Sequence, residues 1–473
     1  MSRLRSHLNP RLVLALFALA LSASLIAYAA TVTPSQQLRS EVGTTDQQAA
    51  VRSSREVSAL PLRSACTVDP AKELFITDVS VVDDCLRTTW GPCITPPPPP
   101  PATQGAWTFG ARMASIAGTN NAATLSTFTI NWLHQWSVIQ TINGDPVPAR
   151  PNVQALIIDP WLAASGSKTT LDMKKAPFRL LAIVARLDLR ENAGYSGGSS
   201  AGEGRFIYDL LDANGNPTQF LVIFEYGLDA ADCTTVLKWA NAWHGLGANA
   251  FGPAYNAALQ SVTDSFATIG ASPGKPNGSA INQVRTNDFH LSRPWELREF
   301  KLSTLSSSVS PSPLVQATVA QTPARSRHQT TAVSTYVNAN EPAILAHQHI
   351  VPLSWGGSPF KGGAAPHNLD LGWDGPTPAC TTITNPQARH AFSLDTCSGC
   401  HGLETATGFK QVEPRSAGSP SALSGFLTGT TATDLCGLAH SFNDIDRRRV
   451  DLCQLLDKTC AQIDAEPAIT FVH

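Results

Sequence analysis

Apolar and polar residues recur with two different periods from residue 106 onward. TFGARMASIAG (108–118) and STFTINWLHQWSVIQTI (126–142) place apolar residues at helical spacing, which predicts helices there. APFRLLAIVARLDLR, GEGRFIYDLLD and QFLVIFEYGL read as strands, the last two joined as a hairpin by Asn214-Gly215-Asn216-Pro217. TTVLKWANAWHGLG and YNAALQSVTDSFATIG return to the helical period, and each closes on a glycine. INQVRTNDF and WELREFKLS then alternate around a turn at Pro294. The order β-β-β-α-α-β-β predicts an α+β fold, an antiparallel-sheet domain with helices spanning residues 105–305.

A Ser/Pro-rich break, LSTLSSSVSPSP, separates this domain from a loop-rich, mostly helical C-terminal region at 313–473. In that region SFNDIDRRRVDLCQLLDK reads as an amphipathic helix capped near Ser441 or Asn443. At the other end, Arg3, Arg5 and Arg11 precede LVLALFALALSASLIAYAA, which ends in small residues. This predicts a cleaved signal peptide over 1–29 and a periplasmic or extracellular protein, soluble after cleavage. If the segment stays uncleaved it is long enough to serve as a membrane anchor. Residues 30–104 read as an irregular tether ending in the polyproline run Pro96–Pro101.

Composition narrows the chemistry. With 34 Lys+Arg against 36 Asp+Glu, the net charge of -2 gives no reason to expect nucleic acid as a partner. Of ten cysteines, eight lie outside one motif, and export makes disulfides plausible for them. Their clustering predicts local pairing within 66–93 and within 380–460, although Cys453 and Cys460, two helical turns apart, should bond to other partners. Glu203, Arg205, Glu225, Arg285, Glu296 and Arg298 interrupt apolar strands; same-parity positions could converge as an ion-paired site on one sheet surface, but the expectation is a solvated, salt-bridged sheet face.

The motif is TCSGCHG, with Cys397, Cys400 and His401 in Cys-x-x-Cys-His spacing. Two thiols so spaced can form thioethers to the haem vinyl groups while the adjacent histidine reaches the iron. Zinc would want a second pair of ligands at knuckle spacing, and no second C-x-x-C exists. A thioredoxin-like site would need a βαβ frame, which AFSLD before the motif does not offer.

Cys397, Cys400 and His401 match the attachment motif of c-type cytochromes. With APFRLLAIVARLDLR, AGEGRF, FLVIFEYGL, RTNDF, WELREF and TCSGCHGLET, most of residues 106–456 also resembles a family of uncharacterised secreted bacterial proteins. The resemblance implies one covalent haem c, His401 as proximal iron ligand and electron exchange with a redox partner protein. It brings no known enzymatic activity, although an open sixth iron position would permit peroxidase-like or oxygenase-like chemistry. No methionine follows Met173, so the distal candidates are His440 first, then His390, His347 and His349. His347-Gln348-His349 could also bind zinc from a strand, but no partnering ligand follows at a recognisable spacing. The competing function is a secreted binding or hydrolytic module with a disulfide-stapled C-terminal cap. No Gly-x-Ser-x-Gly, His-Glu-x-x-His or phosphate loop supports a named hydrolase.

Overall fold

The computed structural model describes residues 66–91, 93, 104–191, 200–304, 310–367 and 372–470. The expected signal peptide and the polyproline run lie outside the described residues. Eight strands form one antiparallel sheet in an α+β fold, and six of them follow chain order across it. These are β1 (Phe75–Ile76), β2 (Phe178–Arg186), β3 (Ser200–Leu211), β4 (Pro217–Asp229), β5 (Ile281–Asp288) and β6 (Trp295–Leu302). The outer edge of β6 is shared, with β7 (Leu314–Ala317) pairing Glu299–Leu302 and β8 (Ala365–His367) pairing Trp295–Leu297. The expected β3–β4 hairpin is present, and the Asp212 carboxylate accepts the N–H groups of Asn214 and Asn216 while Gly215 takes φ +80°.

Period-2 alternation gives the sheet two different faces. Phe206, Tyr208, Phe224, Tyr226 and Phe300 point inward, against α1 (Phe109–Ala117), α2 (Ala122–His134), α3 (Cys233–His244) and α4 (Pro253–Ala267). Trp132, Trp136 and Trp243 from those helices and their flanks are at most 1% exposed. Each large side chain buried in this layer contributes roughly 1.5–3 kcal/mol. The helices begin where side-chain oxygens cap them: Thr108 accepts from Ala111, Asn121 from Thr124 and Asp232 from Thr235.

The outer face carries an apolar half and a charged half, both covered by the C-terminal region. Ala182, Val184, Ile207 and Leu221 pack against Leu394, Cys400, Val412, Phe426 and Phe442. Beside them runs a buried ion ladder: Arg205 bonds Glu203 at 2.7 Å and Glu225 at 3.3 Å, and Arg285 bonds Glu225 at 3.3 Å and Glu299 at 3.0 Å. Arg205 stands directly across from Glu225, and Arg285 across from Glu299, so register fixes the pairs. Burial would raise the Glu299 carboxyl, but Lys301 and Arg285 outweigh it and bring it down to about 2.

This corrects the expected solvated face, because the residues after the Ser/Pro break lie over it. Glu296 and Arg298 leave the set altogether, since their parity puts them on the inner side, where Glu296 pairs with Arg150.

Two further expectations change. Residues 66–93, read as tether, are part of the fold: β1 adds to the sheet edge, and Asp69 caps a short helix at Pro70–Glu73. The disulfides are local at Cys85–Cys93 and Cys380–Cys436, but Cys66–Cys453 and Cys233–Cys460 cross the molecule. Proximity in the chain failed as a guide because α7 (Asp444–Asp457), capped by Asn443, returns to pack near α3. Such disulfides are compatible with a secreted protein, and no described helix is long and apolar enough to cross a membrane.

Replacing Arg285 by Leu removes a buried partner from both Glu225 and Glu299, leaving Arg205 and Lys301 as their remaining cations. Chemical denaturation is expected to show a loss of about 3–5 kcal/mol, and a loss under 1 kcal/mol would show the ladder to be solvated. A chain ending at residue 304 loses β7, β8 and the cover of the outer face. It is expected to lack a cooperative thermal transition by near-UV circular dichroism; a sharp one would show that residues 105–304 hold their own core.

Candidate functional site

The motif sits in a tight corner between two helices. α5 (Pro386–Leu394) ends, Thr396 turns the chain by bonding the Ser393 carbonyl and capping Gly399, and α6 (Cys397–Cys400) follows. Gly399 has no room for a side chain, since a Cβ there would lie 2.0 Å from the Ser393 carbonyl oxygen.

Cys397 and Cys400 are fully buried and belong to none of the four disulfides. Cys397 packs with Trp295 and Leu297, and Cys400 with Val412, Phe426 and Leu427. Burial pushes the Cys397 thiol up to about 12, so it is protonated at neutral pH. A redox-active C-x-x-C relies on an accessible, low-pKa thiolate, and this site offers neither feature. A zinc site is also unsupported here. Among the described residues, the one cluster of three ligating atoms lies elsewhere.

His401 closes α6, and its Nδ1–H donates to the Phe409 carbonyl at 2.8 Å. That bond fixes the tautomer and makes Nε2 the basic nitrogen, the second-shell arrangement typical of metal-ligating histidines. Trp295 stacks on the ring with centroids 5.3 Å apart.

His401 also lines a cavity of about 70 Å³ between the motif and the outer face of the sheet. Phe75, Val184, Ile207, Leu221, Phe426 and Leu427 make much of the wall apolar. Arg186, Arg205, Glu225, Arg285 and Arg448 make its charged edge, each arginine paired with a carboxylate. Arg448, from α7, is 5% exposed; it bonds Asp444 through Nη2, while Nε and Nη1 have no hydrogen-bond partner among the described residues. Burial and the neighbouring Arg186 lower its pKa to about 10, which still leaves it charged at neutral pH.

The distal candidates fall elsewhere. His440 is not in the cavity wall: it stacks face to face on His390 with centroids 3.4 Å apart, and its Nε2 lies 3.3 Å from Asp434. His347 bonds Asp395 at 2.9 Å. His349 is buried between Tyr336 and Phe392, and neither of its ring nitrogens makes a hydrogen bond among the described residues. Met113 belongs to the inner core and Met173 packs against it, so the sheet separates both from the motif. Apart from His401, the wall offers no histidine, methionine, lysine, cysteine or tyrosine among the described residues. Arg448, Gln411 and Phe426 were not singled out by sequence reading, because their meaning comes only from facing this cavity.

Burial lowers the His349 pKa from 6.5 to about 4, outweighing the nearby Asp395 carboxylate, while His347 opposes a second charge. The unfolded chain therefore binds a proton between those pH values that the folded chain refuses. Stability present above pH 6.5 is expected to fall by on the order of 3 kcal/mol as the pH approaches 4. His349→Phe should flatten that part of the stability–pH curve; a slope equal to the parent's would show that His349 is solvated.

Comparison with known proteins adds nothing to the chemistry of these residues: no family model, no curated protein and no solved structure matches the chain.

Proposed function

We propose that this is an exported monohaem c protein, with haem held covalently by Cys397 and Cys400 and ligated by His401. The observation that carries the reading is the placement of His401. Its Nδ1–H is fixed on a backbone carbonyl, and its ring faces a largely apolar cavity beside two buried thiols outside any disulfide. The donor set fits the group. Two thiols at C-x-x-C spacing suit the vinyl positions, apolar walls suit the macrocycle, and the unpartnered N–H groups of Arg448 suit a propionate. Haem c, when bound, supplies a one-electron ferric/ferrous couple. Exchange of that electron with a redox partner protein is the function this reading supports.

The wall bears on the sixth iron position. With His440 held by Asp434 and stacked on His390, the cavity offers no strong side-chain donor apart from His401. If haem were bound, His401 would be the one histidine, methionine, lysine, cysteine or tyrosine that the described wall supplies to its iron, which would leave room for water or another small ligand.

Protein made with a haem c maturation system is expected to give a c-type pyridine haemochrome and to keep its haem in acidic acetone. Haem extracted by the solvent, or a colourless and fully folded product, would leave the binding or hydrolytic module as the better account. On coloured protein, His440→Ala should leave the spin state unchanged, and cyanide should bind without displacing a side chain. A conversion from low-spin to high-spin iron in that variant would make His440 the distal ligand after all. Arg448→Leu removes a buried positive charge and is expected to lower the reduction potential, whereas an unchanged potential would place Arg448 away from the haem.

A further inference from the structure

Behind the cavity, Phe426 packs on Phe442, and Phe442 lies beside His390. There α5, the 3₁₀ turn Leu403–Thr405 and the two-stranded ribbon Thr430–Thr433/Ala439–Phe442 bring four potential ligands together. We propose that His390, Asp434 and His440 form a second metal centre, separate from the haem site, that takes a zinc-class divalent cation.

Three observations support the assignment. One ligating atom from each of the three residues lies within 4.8 Å of the others, and all three side chains are at most 2% exposed. Tetrahedral zinc with bonds near 2.0–2.1 Å sets ligand atoms about 3.3 Å apart, and the imidazoles, parallel to within 1°, would tilt out of their stack so that both lone pairs converge on the ion.

The second observation is orientation. His390 Nδ1 lies 2.5 Å from Glu404 Oε1, so Nδ1–H donates to the carboxylate and Nε2 is left as the basic nitrogen. This is the carboxylate–histidine pairing that accompanies metal-bound imidazole. Asp434 is divided in the same way. Its Oδ1 accepts the N–H groups of Cys436 and Leu438, while Oδ2 points at His440 and Arg389. The Cys380–Cys436 disulfide staples the turn that holds it.

The third observation is charge. Glu404 and Asp434 are both buried, and Arg389, which bonds both, balances only one of them. With neutral imidazoles the cluster carries one uncompensated negative charge, which a buried site must neutralise with a cation or a proton. Two parallel rings 3.4 Å apart can accommodate one shared cation far better than two separate charges.

The test uses the full-length mature protein, stripped with a chelator and titrated with zinc alone. One equivalent is expected to bind at about micromolar affinity or tighter, and X-ray absorption at the zinc edge should show two imidazoles with oxygen. Asp434→Asn and His440→Gln, which keep hydrogen-bonding capacity, should each weaken binding by about 100-fold. If His440→Gln does not fold, Asp434→Asn and the absorption spectrum still decide. Folded protein that retains no zinc would overturn the proposal and leave an ion-paired cluster with the proton on a histidine. Binding untouched by both substitutions would overturn it equally. Zinc is counted separately from iron, so haem-free protein that holds one zinc would sink the haem reading alone.

Discussion

The burial of charge on the outer face of the sheet governs the arrangement of this protein. Arg205, Glu225, Arg285 and Glu299 are each under 10% exposed, and a buried charge without its partner costs several kcal/mol. The four can be covered only because the strand register places opposite charges across from each other. Once the ladder is closed, the rest of that face is apolar enough to accept a cover. The C-terminal region, with its motif, is that cover. The Cys66–Cys453 disulfide ties α7 to the N-terminal segment, and Cys233–Cys460 ties α3 to the short helix Cys460–Asp464 that follows α7.

Much of the sheet was legible because its inner face obeys a simple rule. Phe220, Val222, Phe224 and Tyr226 alternate with the residues of the other face, and their period alone marks β4 as a strand. The outer face was misread for the same reason. Charged residues at alternate positions are the signature of solvent, and no local pattern tells a solvated Arg285 from one buried against Glu299. Nor could residues 66–93 be recognised, since a two-residue strand and short capped turns carry no period. Long-range placement is also why Cys66 and Cys233 found partners far along the chain.

The motif itself was plain, but half of its surroundings were not. Sequence reading found Cys397, Cys400 and His401 by spacing. It could not find the opposite wall, because Val184, Ile207 and Leu221 come from three strands that precede the motif by about two hundred residues. Histidines showed the opposite error. His440 and His390 were weighed singly as iron ligands, whereas the fold places them together. Glu404, three residues after His401, was in the quoted motif all along, but its role depends on α5 folding back beside it.

The two proposed centres depend on the fold in different ways. The ligands of the His390–Asp434–His440 cluster lie within 51 residues of one another, and the Cys380–Cys436 disulfide closes a loop that holds His390 and Asp434 and ends four residues before His440. The cavity beside His401 needs a wall from the sheet and a roof from the motif, so it exists only after the two halves of the chain have docked. A loop-closure cost that rises only slowly with chain length makes such a distant pairing affordable. It also couples the site to global folding, since any change that lifts the cover from the ion ladder opens the cavity at the same time. A small autonomous haem domain would avoid that coupling. Here the same surface that neutralises the buried charges of the sheet also encloses the space next to the two thiols, so site and core cannot be separated.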